Sequence, residues 1–193
     1  REIIARIKSR MESNMTGSGH TVAMLSAMAQ FSPSSYYSDI LRGYQYYEFI
    51  EKADRDFDSM KEMLAENLKR TAALIFTKEN LTVSFTAEDD GLELLQKPMT
   101  EFVAKLAQLQ GKDAVRTFRP VKEKTAYTSS SQVQYVARCG NYRKAGYEYT
   151  GALKVLKIIF SYDYLWLNVR VKGGAYGCMS GFYRNGDTYM VSY

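Results

Sequence analysis

Along most of this 193-residue chain the apolar side chains recur every three or four positions, and only a few short stretches alternate residue by residue. Ile3, Ile4 and Ile7 share one face while Arg6, Lys8 and Arg10 lie elsewhere, which predicts a first helix broken at Gly17-Ser18-Gly19. From His20 to Gln30 the small and apolar residues Ala23, Met24, Leu25, Ala27, Met28 and Ala29 predict a largely buried helix. Ser32-Pro33 reads as a stop followed by a new start, because proline suits the first helical turn and no later one. Residues 34–50 read as helix with a weak point at Gly43. Residues 54–76 hold the clearest amphipathic pattern: Phe57, Met60, Met63, Leu64, Leu68, Ala72 and Ile75 approximate a 3.6-residue period. Residues 81–86 alternate apolar with hydroxyl side chains and predict a half-buried strand, ending at Glu88-Asp89-Asp90-Gly91. Residues 92–109 return to a helical period, with Pro98 either in a first turn or at a kink.

Beyond Gly111 the periodicity is lost until Pro120, which predicts a connector. Residues 125–131 and 132–139 read as strands, the second from Val133, Tyr135 and Ala137 alternating with polar neighbours, and Gly140-Asn141 as a turn. Residues 149–172 form a long helical pattern carrying Leu153, Leu156, Ile159, Phe160, Leu165, Leu167 and Val169, with a break expected near Ser161-Tyr162-Asp163. Residues 175–183 and 187–193 then read as strands joined by a hairpin turn at Arg184-Asn185-Gly186. Helices followed by antiparallel hairpins, without regular βαβ alternation, place the chain in the α+β class, with antiparallel sheets packed against helices. A start at Arg1 without a capping residue, and an end inside a strand pattern, lead us to expect a piece of a longer protein.

At this length a chain buries about 70% of its unfolded surface, enough for a real core. No run approaches the roughly eighteen apolar residues of a membrane span, and the charged, amphipathic start is unlike a signal peptide. Cys139 and Cys178 lie far apart and match no metal spacing, so they read as free thiols in a reducing compartment, a bacterial cytoplasm or an organelle matrix. The net charge of +5 is unevenly divided. Residues 1–110 carry 13 Lys and Arg against 16 Asp and Glu, a net of −3, whereas residues 111–193 carry 13 against 5, a net of +8. Two partial domains are expected: a helix-rich part of one α+β domain over 1–110, a connector over 111–122, and part of a second α+β domain over 123–193.

The most specific chemistry sits at the end of the long helical pattern, in Arg170-Val171-Lys172-Gly173-Gly174-Ala175-Tyr176-Gly177. Two adjacent glycines let a helix stop and the chain turn sharply into a strand. Arg170 and Tyr176 then flank one turn, where a guanidinium and a phenol can converge on a single carbonyl or carboxylate. The plainer reading is a cation at a helix C-terminus and an ordinary strand tyrosine. His20, the one histidine, reads as a structural residue at a helix start or a remote contact. Tyr36, Tyr37, Tyr44, Tyr46 and Tyr47 could stack bases or peptide side chains, but their helical spacing fits packing and a partly wet surface better. The acidic run at Glu88-Asp89-Asp90 reads as a solvated turn.

The motif R-x-x-G-G-A-Y-G after a long helix resembles the C-terminal half of the presequence-protease branch of the pitrilysin-type metallopeptidases, the enzymes with an inverted zinc motif. A second stretch agrees: Gly19-His20-Thr21-Val22-Ala23, then Phe31-Ser32-Pro33, Tyr37, and Leu41-Arg42-Gly43 before an aromatic run ending at Phe49. Together they anchor the resemblance from residue 17 to residue 193, over parts of the family's third and fourth domains. The resemblance implies a pitrilysin / mitochondrial-processing-peptidase-like fold and a parent that degrades short unstructured peptides. It implies that Arg170 and Tyr176 are catalytic, that Gly173 and Gly174 join them in binding substrate, and that zinc belongs to the intact enzyme with its ligands outside this chain. The expected partners are short unfolded peptides and the N-terminal, zinc-bearing half of the same protein, with no membrane. Within these 193 residues there is one histidine and no H-x-x-E-H helix, so this chain is expected to hold no metal and to be inactive alone. Two other readings compete: a catalytically inactive scaffold of the same fold, and a basic nucleic-acid-binding module. The second is favoured only by the +8 segment and the tyrosines, without any recognised nucleic-acid motif.

Overall fold

A computed structural model of the protein describes residues 1–108, 118, 123–128 and 130–193. The chain forms two compact units, one from Arg1–Arg55 with Thr117–Tyr193 and the other from Asp56–Arg116. Residues 1–55 therefore group with the C-terminal segment, although composition places a boundary between those two stretches. The connector expected over 111–122 lies outside the described residues except for Phe118.

In the first unit four helices run in succession: α1 (Glu2–Gly17), α2 (Gly19–Met28), α3 (Pro33–Arg42) and α4 (Tyr44–Arg55). Their boundaries have local causes. The Ser18 N–H closes α1 on the Asn14 carbonyl at 2.7 Å. Ser32 caps α3, its Oγ accepting the Ser35 N–H at 3.2 Å, with Pro33 in the first turn where its missing N–H costs nothing. Gly43 separates α3 from α4. A Cβ there would collide with the carboxylate of Asp39, which is buried and accepts the Tyr44 N–H at 3.0 Å and the Gln45 amide at 2.8 Å.

The sheet has three strands, β1 (Val136–Asn141), β2 (Cys178–Phe182) and β3 (Asp187–Ser192), in the order β1-β3-β2 with both pairings antiparallel. Asn141 faces Asp187 at one end of the β1–β3 ladder and Val136 faces Ser192 at the other. Helix α2 packs on β1 and β3. The second hairpin strand follows a helix that begins as α7 (Ala152–Ile159) and continues as a π-helix over Phe160–Val171, which packs on β2. At the expected break near Ser161-Tyr162-Asp163 the helix widens instead of stopping. Leu25, Met28, Ala29, Ile50, Ala53, Leu165 and Val191 make the buried apolar core, drawn from α2, α4, the π-helix and β3. Helices against an antiparallel sheet give the α+β class expected from the sequence.

The second unit holds α5 (Phe57–Ile75) and α6 (Asp89–Lys105), with one parallel bridge between Thr77 and Ala107. The Asn80 amide satisfies the open Leu74 and Ile75 carbonyls at the end of α5, at 3.1 and 3.2 Å. Pro98 lies in the interior of α6.

Three expected strand features are corrected. Residues 81–86 form no strand, and Val83 and Phe85 are exposed, because alternation becomes a ladder only beside a second backbone and none lies there among the described residues. Residues 125–128 are likewise irregular. Tyr127 instead stacks on Tyr44 at 3.9 Å between ring centroids and hydrogen-bonds Ser26 at 2.7 Å. Strand β1 starts at Val136 and runs through Gly140-Asn141, the residues expected to turn, because β3 pairs with them to its first residue. Among the described residues no helix is long and apolar enough to cross a membrane.

Candidate functional site

The π-helix ends in a turn that is one residue wider than its α-helical counterpart. The Lys172 N–H still reaches back five residues to the Leu167 carbonyl, at 3.0 Å. Gly174 then donates to the Arg170 carbonyl at 2.9 Å and Ala175 to the Val169 carbonyl at 3.2 Å, a nested pair that satisfies two terminal carbonyls. The two glycines serve different needs. Gly174 has φ +75°, a left-handed conformation that costs an L-residue energy, while a Cβ on Gly173 would sit 2.6 Å from the Val169 carbonyl oxygen.

This turn brings Arg170 and Tyr176 together, as the motif's spacing predicts. The Arg170 guanidinium lies 5.9 Å from the centroid of the Tyr176 ring and 4.2 Å from that of Trp166. Trp166 is one helical turn before Arg170, and its face holds the guanidinium by a cation–π contact. Sequence reasoning passed over this tryptophan; the signal for it was the four-residue spacing on one helix. The Tyr176 side chain is 78% exposed, so its phenol is open to a ligand approaching the motif.

Behind Tyr176 lies a cluster of rings from three other parts of the chain. Tyr193 stands 6.1 Å from Tyr176, and His20 stacks on Tyr193 at 4.9 Å with an interplanar angle of 20°. Tyr135 completes the group at 5.8 Å from Tyr193 and 6.0 Å from His20. Gly177 and Tyr193 exchange two backbone hydrogen bonds of 3.0 Å, which extend the β2–β3 pairing by one residue on each side. His20 is thus near the motif and not remote from it. Its Nδ1 is buried without a hydrogen-bond partner, so stacking fixes the ring.

The other singled-out residues fall into structural roles. Tyr44 packs on Tyr127, Tyr36 on Phe118 at 5.4 Å, and the Tyr47 hydroxyl donates to Glu12 at 3.4 Å. Burial pushes the Tyr44 and Tyr127 phenols above their usual range, in keeping with packing. Cys139 and Cys178 are free and half-buried. Burial pushes the Cys139 thiol up to about 12, and it donates to the Met24 carbonyl at 3.7 Å. Among the described residues no three His, Cys, Asp or Glu side chains lie together in a way that could hold a metal ion, and His20 is surrounded by phenol rings. The donor set here does not fit zinc.

Two family models match the chain. The peptidase-associated model of peptidase family M-sixteen, subfamily C, covers residues 1–52, and the model "PreP C-terminal domain" covers residues 124–193. Protein HypA of Clostridium perfringens is 35% identical over 195 aligned residues, which take in 100% of this chain and 20% of that protein. Presequence protease 1, chloroplastic/mitochondrial, of Arabidopsis thaliana is 27% identical over 94% of this chain and 17% of its own length. The mitochondrial presequence protease of Aspergillus oryzae is 24% identical over 85% of this chain and 17% of its own length. The chain spans about a fifth of the length of such relatives. The first model covers α1 to α3 and most of α4, and the second covers the sheet and the Arg170–Tyr176 turn. This chain belongs to the presequence-protease family, of which residues 124–193 form the C-terminal domain.

Proposed function

We propose that this chain is the substrate-binding C-terminal portion of a zinc metalloendopeptidase that degrades short unstructured peptides, and that Arg170 and Tyr176 are its contribution to the active-site chamber. The observation carrying this reading is the juxtaposition of an exposed phenol and a guanidinium across the two-glycine turn. Hydrolysis of a peptide bond builds negative charge on the carbonyl oxygen when water adds to the carbonyl carbon. A phenol O–H held in place stabilises that charge without reorganising, and a guanidinium binds the neighbouring backbone carbonyl. Gly173 and Gly174 leave the backbone of the turn bare, so an extended peptide can approach it. The names of the plant and fungal relatives state presequences as substrates and chloroplasts or mitochondria as the compartment, which fits a bacterial cytoplasm or an organelle matrix for this protein.

Zinc chemistry in this reading comes from residues outside the chain, in the N-terminal half of the parent. The 193 residues alone then bind no stoichiometric zinc and cleave no peptide, because they contain one histidine and no inverted zinc-binding helix. Metal analysis after dialysis against a mild chelator tests this, and one zinc per chain would refute it.

The deciding experiment is steady-state kinetics of the full-length protein on a short quenched peptide. Tyr176→Phe removes a single hydrogen bond made in the transition state, so kcat should fall on the order of 10²-fold while KM changes little. Full activity in that variant would leave the pair as a helix-end structural device. A full-length protein without any peptidase activity would identify an inactive scaffold of the same fold.

A further inference from the structure

We infer that His20 and Tyr193 are positioning residues for Tyr176: through stacked rings they set where its phenol stands, and hence where it meets a substrate carbonyl. This inference rests on the proposed role of Arg170 and Tyr176. Its own support is geometric. Tyr176 is 78% exposed, so little of its orientation comes from burial. What backs it is the ring of Tyr193 at 6.1 Å, and what backs Tyr193 is His20 at 4.9 Å and 20°. Edge-on and offset contacts at these separations hold rings in defined relative orientations.

Two glycines make room for this cluster. A Cβ on Gly177, the residue after Tyr176, would lie 2.7 Å from Cζ of Tyr193. A Cβ on Gly19, the residue before His20, would collide with the ring of Tyr135. Tyr135 is itself tied down by its hydroxyl, which donates to the Thr16 carbonyl at 2.9 Å. The chain therefore gives up side chains at two separate places so that these rings can close on the strand pairing beside Tyr176. The stretch Gly19-His20 and the end of the R-x-x-G-G-A-Y-G motif, more than 150 residues apart, are parts of one device.

His20 serves it as a flat ring. Its Nδ1 is shielded and makes no hydrogen bond, so neither proton donation nor metal ligation by that atom accounts for the placement. A phenylalanine should do the same work and an alanine should not.

The test is a double-mutant cycle in the full-length protein, read as kcat on a quenched peptide, with a thermal melt of every variant. If His20 acts through Tyr176, His20→Ala lowers kcat about tenfold in the native background, the coupling expected between residues in contact. In the Tyr176→Phe background the same change should cost less than about twofold, because the hydrogen bond it would misplace is already gone. His20→Phe should restore most of the kcat lost in His20→Ala. Equal losses from His20→Ala in the two backgrounds would overturn positioning, and so would native kcat in His20→Ala. If Tyr176→Phe is fully active, the reading of the pair fails and positioning falls with it. An impaired Tyr176→Phe with an additive His20→Ala refutes positioning alone. Should His20→Ala fail to fold, His20→Phe decides, because low kcat in a variant that melts like the native protein contradicts a role as a flat ring.

Discussion

The hydroxyl of Ser35 donates to the carboxylate of Asp187 at 2.6 Å, joining residues that lie 152 positions apart in the sequence. Asp187 is the first residue of β3 and is completely buried, with 0% exposure. Its carboxylate also accepts from the Ser32 hydroxyl, from the Asn141 amide at 2.8 Å and from the Asn185 amide at 2.9 Å. No cation shares the site among the described residues. Four neutral donors stabilise the buried charge and fasten the start of α3 to the head of the sheet.

Removing that carboxylate should therefore be expensive. Asp187→Ala leaves two hydroxyls and two amides without their acceptor, and loosens the capping serine of α3 as well. We expect a loss of about 3 kcal/mol, the scale of a broken buried network. Equilibrium denaturation in urea measures it, and a loss under about 1 kcal/mol would show that water replaces the carboxylate at little cost.

The paired glycines should respond to alanine for different reasons. Gly174→Ala meets no neighbouring atom within 4 Å, so its cost is the left-handed backbone alone, about 1–2 kcal/mol. Gly173→Ala drives a methyl group to 2.6 Å from the Val169 carbonyl oxygen, and the end of the helix must shift. Thermal melts should show both variants destabilised. Kinetics of the full-length protein should show Gly173→Ala losing more kcat than its stability explains, because Arg170 belongs to the turn that moves. Equal kcat in the two variants would contradict this.

Trp166 should matter to Arg170 without touching the substrate. With the guanidinium 4.2 Å from the indole centroid, Trp166→Leu frees it to sample other rotamers. We expect kcat/KM to fall about tenfold, with the loss largely absent when Arg170 is already alanine. Arg170→Lys should also lower kcat/KM, since an ammonium keeps the charge but loses the planar fork. Additive losses in the Trp166 and Arg170 variants would mean that the tryptophan acts elsewhere.

The Cys139 thiol gives a pH signature. Burial raises it from 9.0 to about 12, so between those values the unfolded chain releases this proton while the folded chain keeps it. The folded state then binds more protons, and stability falls as pH rises through that window. This group contributes at most about 4 kcal/mol to the fall, and less to the extent that solvent reaches the half-buried thiol. Cys139→Ala should flatten the decline seen in denaturation between pH 9.0 and 12, apart from what buried tyrosines add at the alkaline end. An unchanged slope would show that the thiol titrates as if exposed.

The local grammar of the chain was legible in the sequence because its causes are local. Ser32-Pro33 starts a helix, Gly43 divides one, Arg184-Asn185-Gly186 turns a hairpin, and Gly173-Gly174 ends the long helix beside Arg170 and Tyr176. Each depends on backbone conformations or hydrogen bonds reaching only a few residues. The same motifs carried the family. Tertiary structure decided what depends on a distant partner. The alternating residues 81–86 form no strand without a neighbour to pair with, whereas Gly140-Asn141 become strand because β3 lies alongside. The expected break at Ser161 becomes a change of helix type, with one face of the helix packed on β2. Asp187 reads as an ordinary hairpin residue until four donors, two of them from α3 and its cap, close around it. His20 reads as a solitary histidine until the strand pairing of Gly177 with Tyr193 sets the ring of Tyr193 against it. Hydrogen bonds and stacked rings act over a few ångströms of space, and no spacing along the chain encodes which distant residues will fall within that reach.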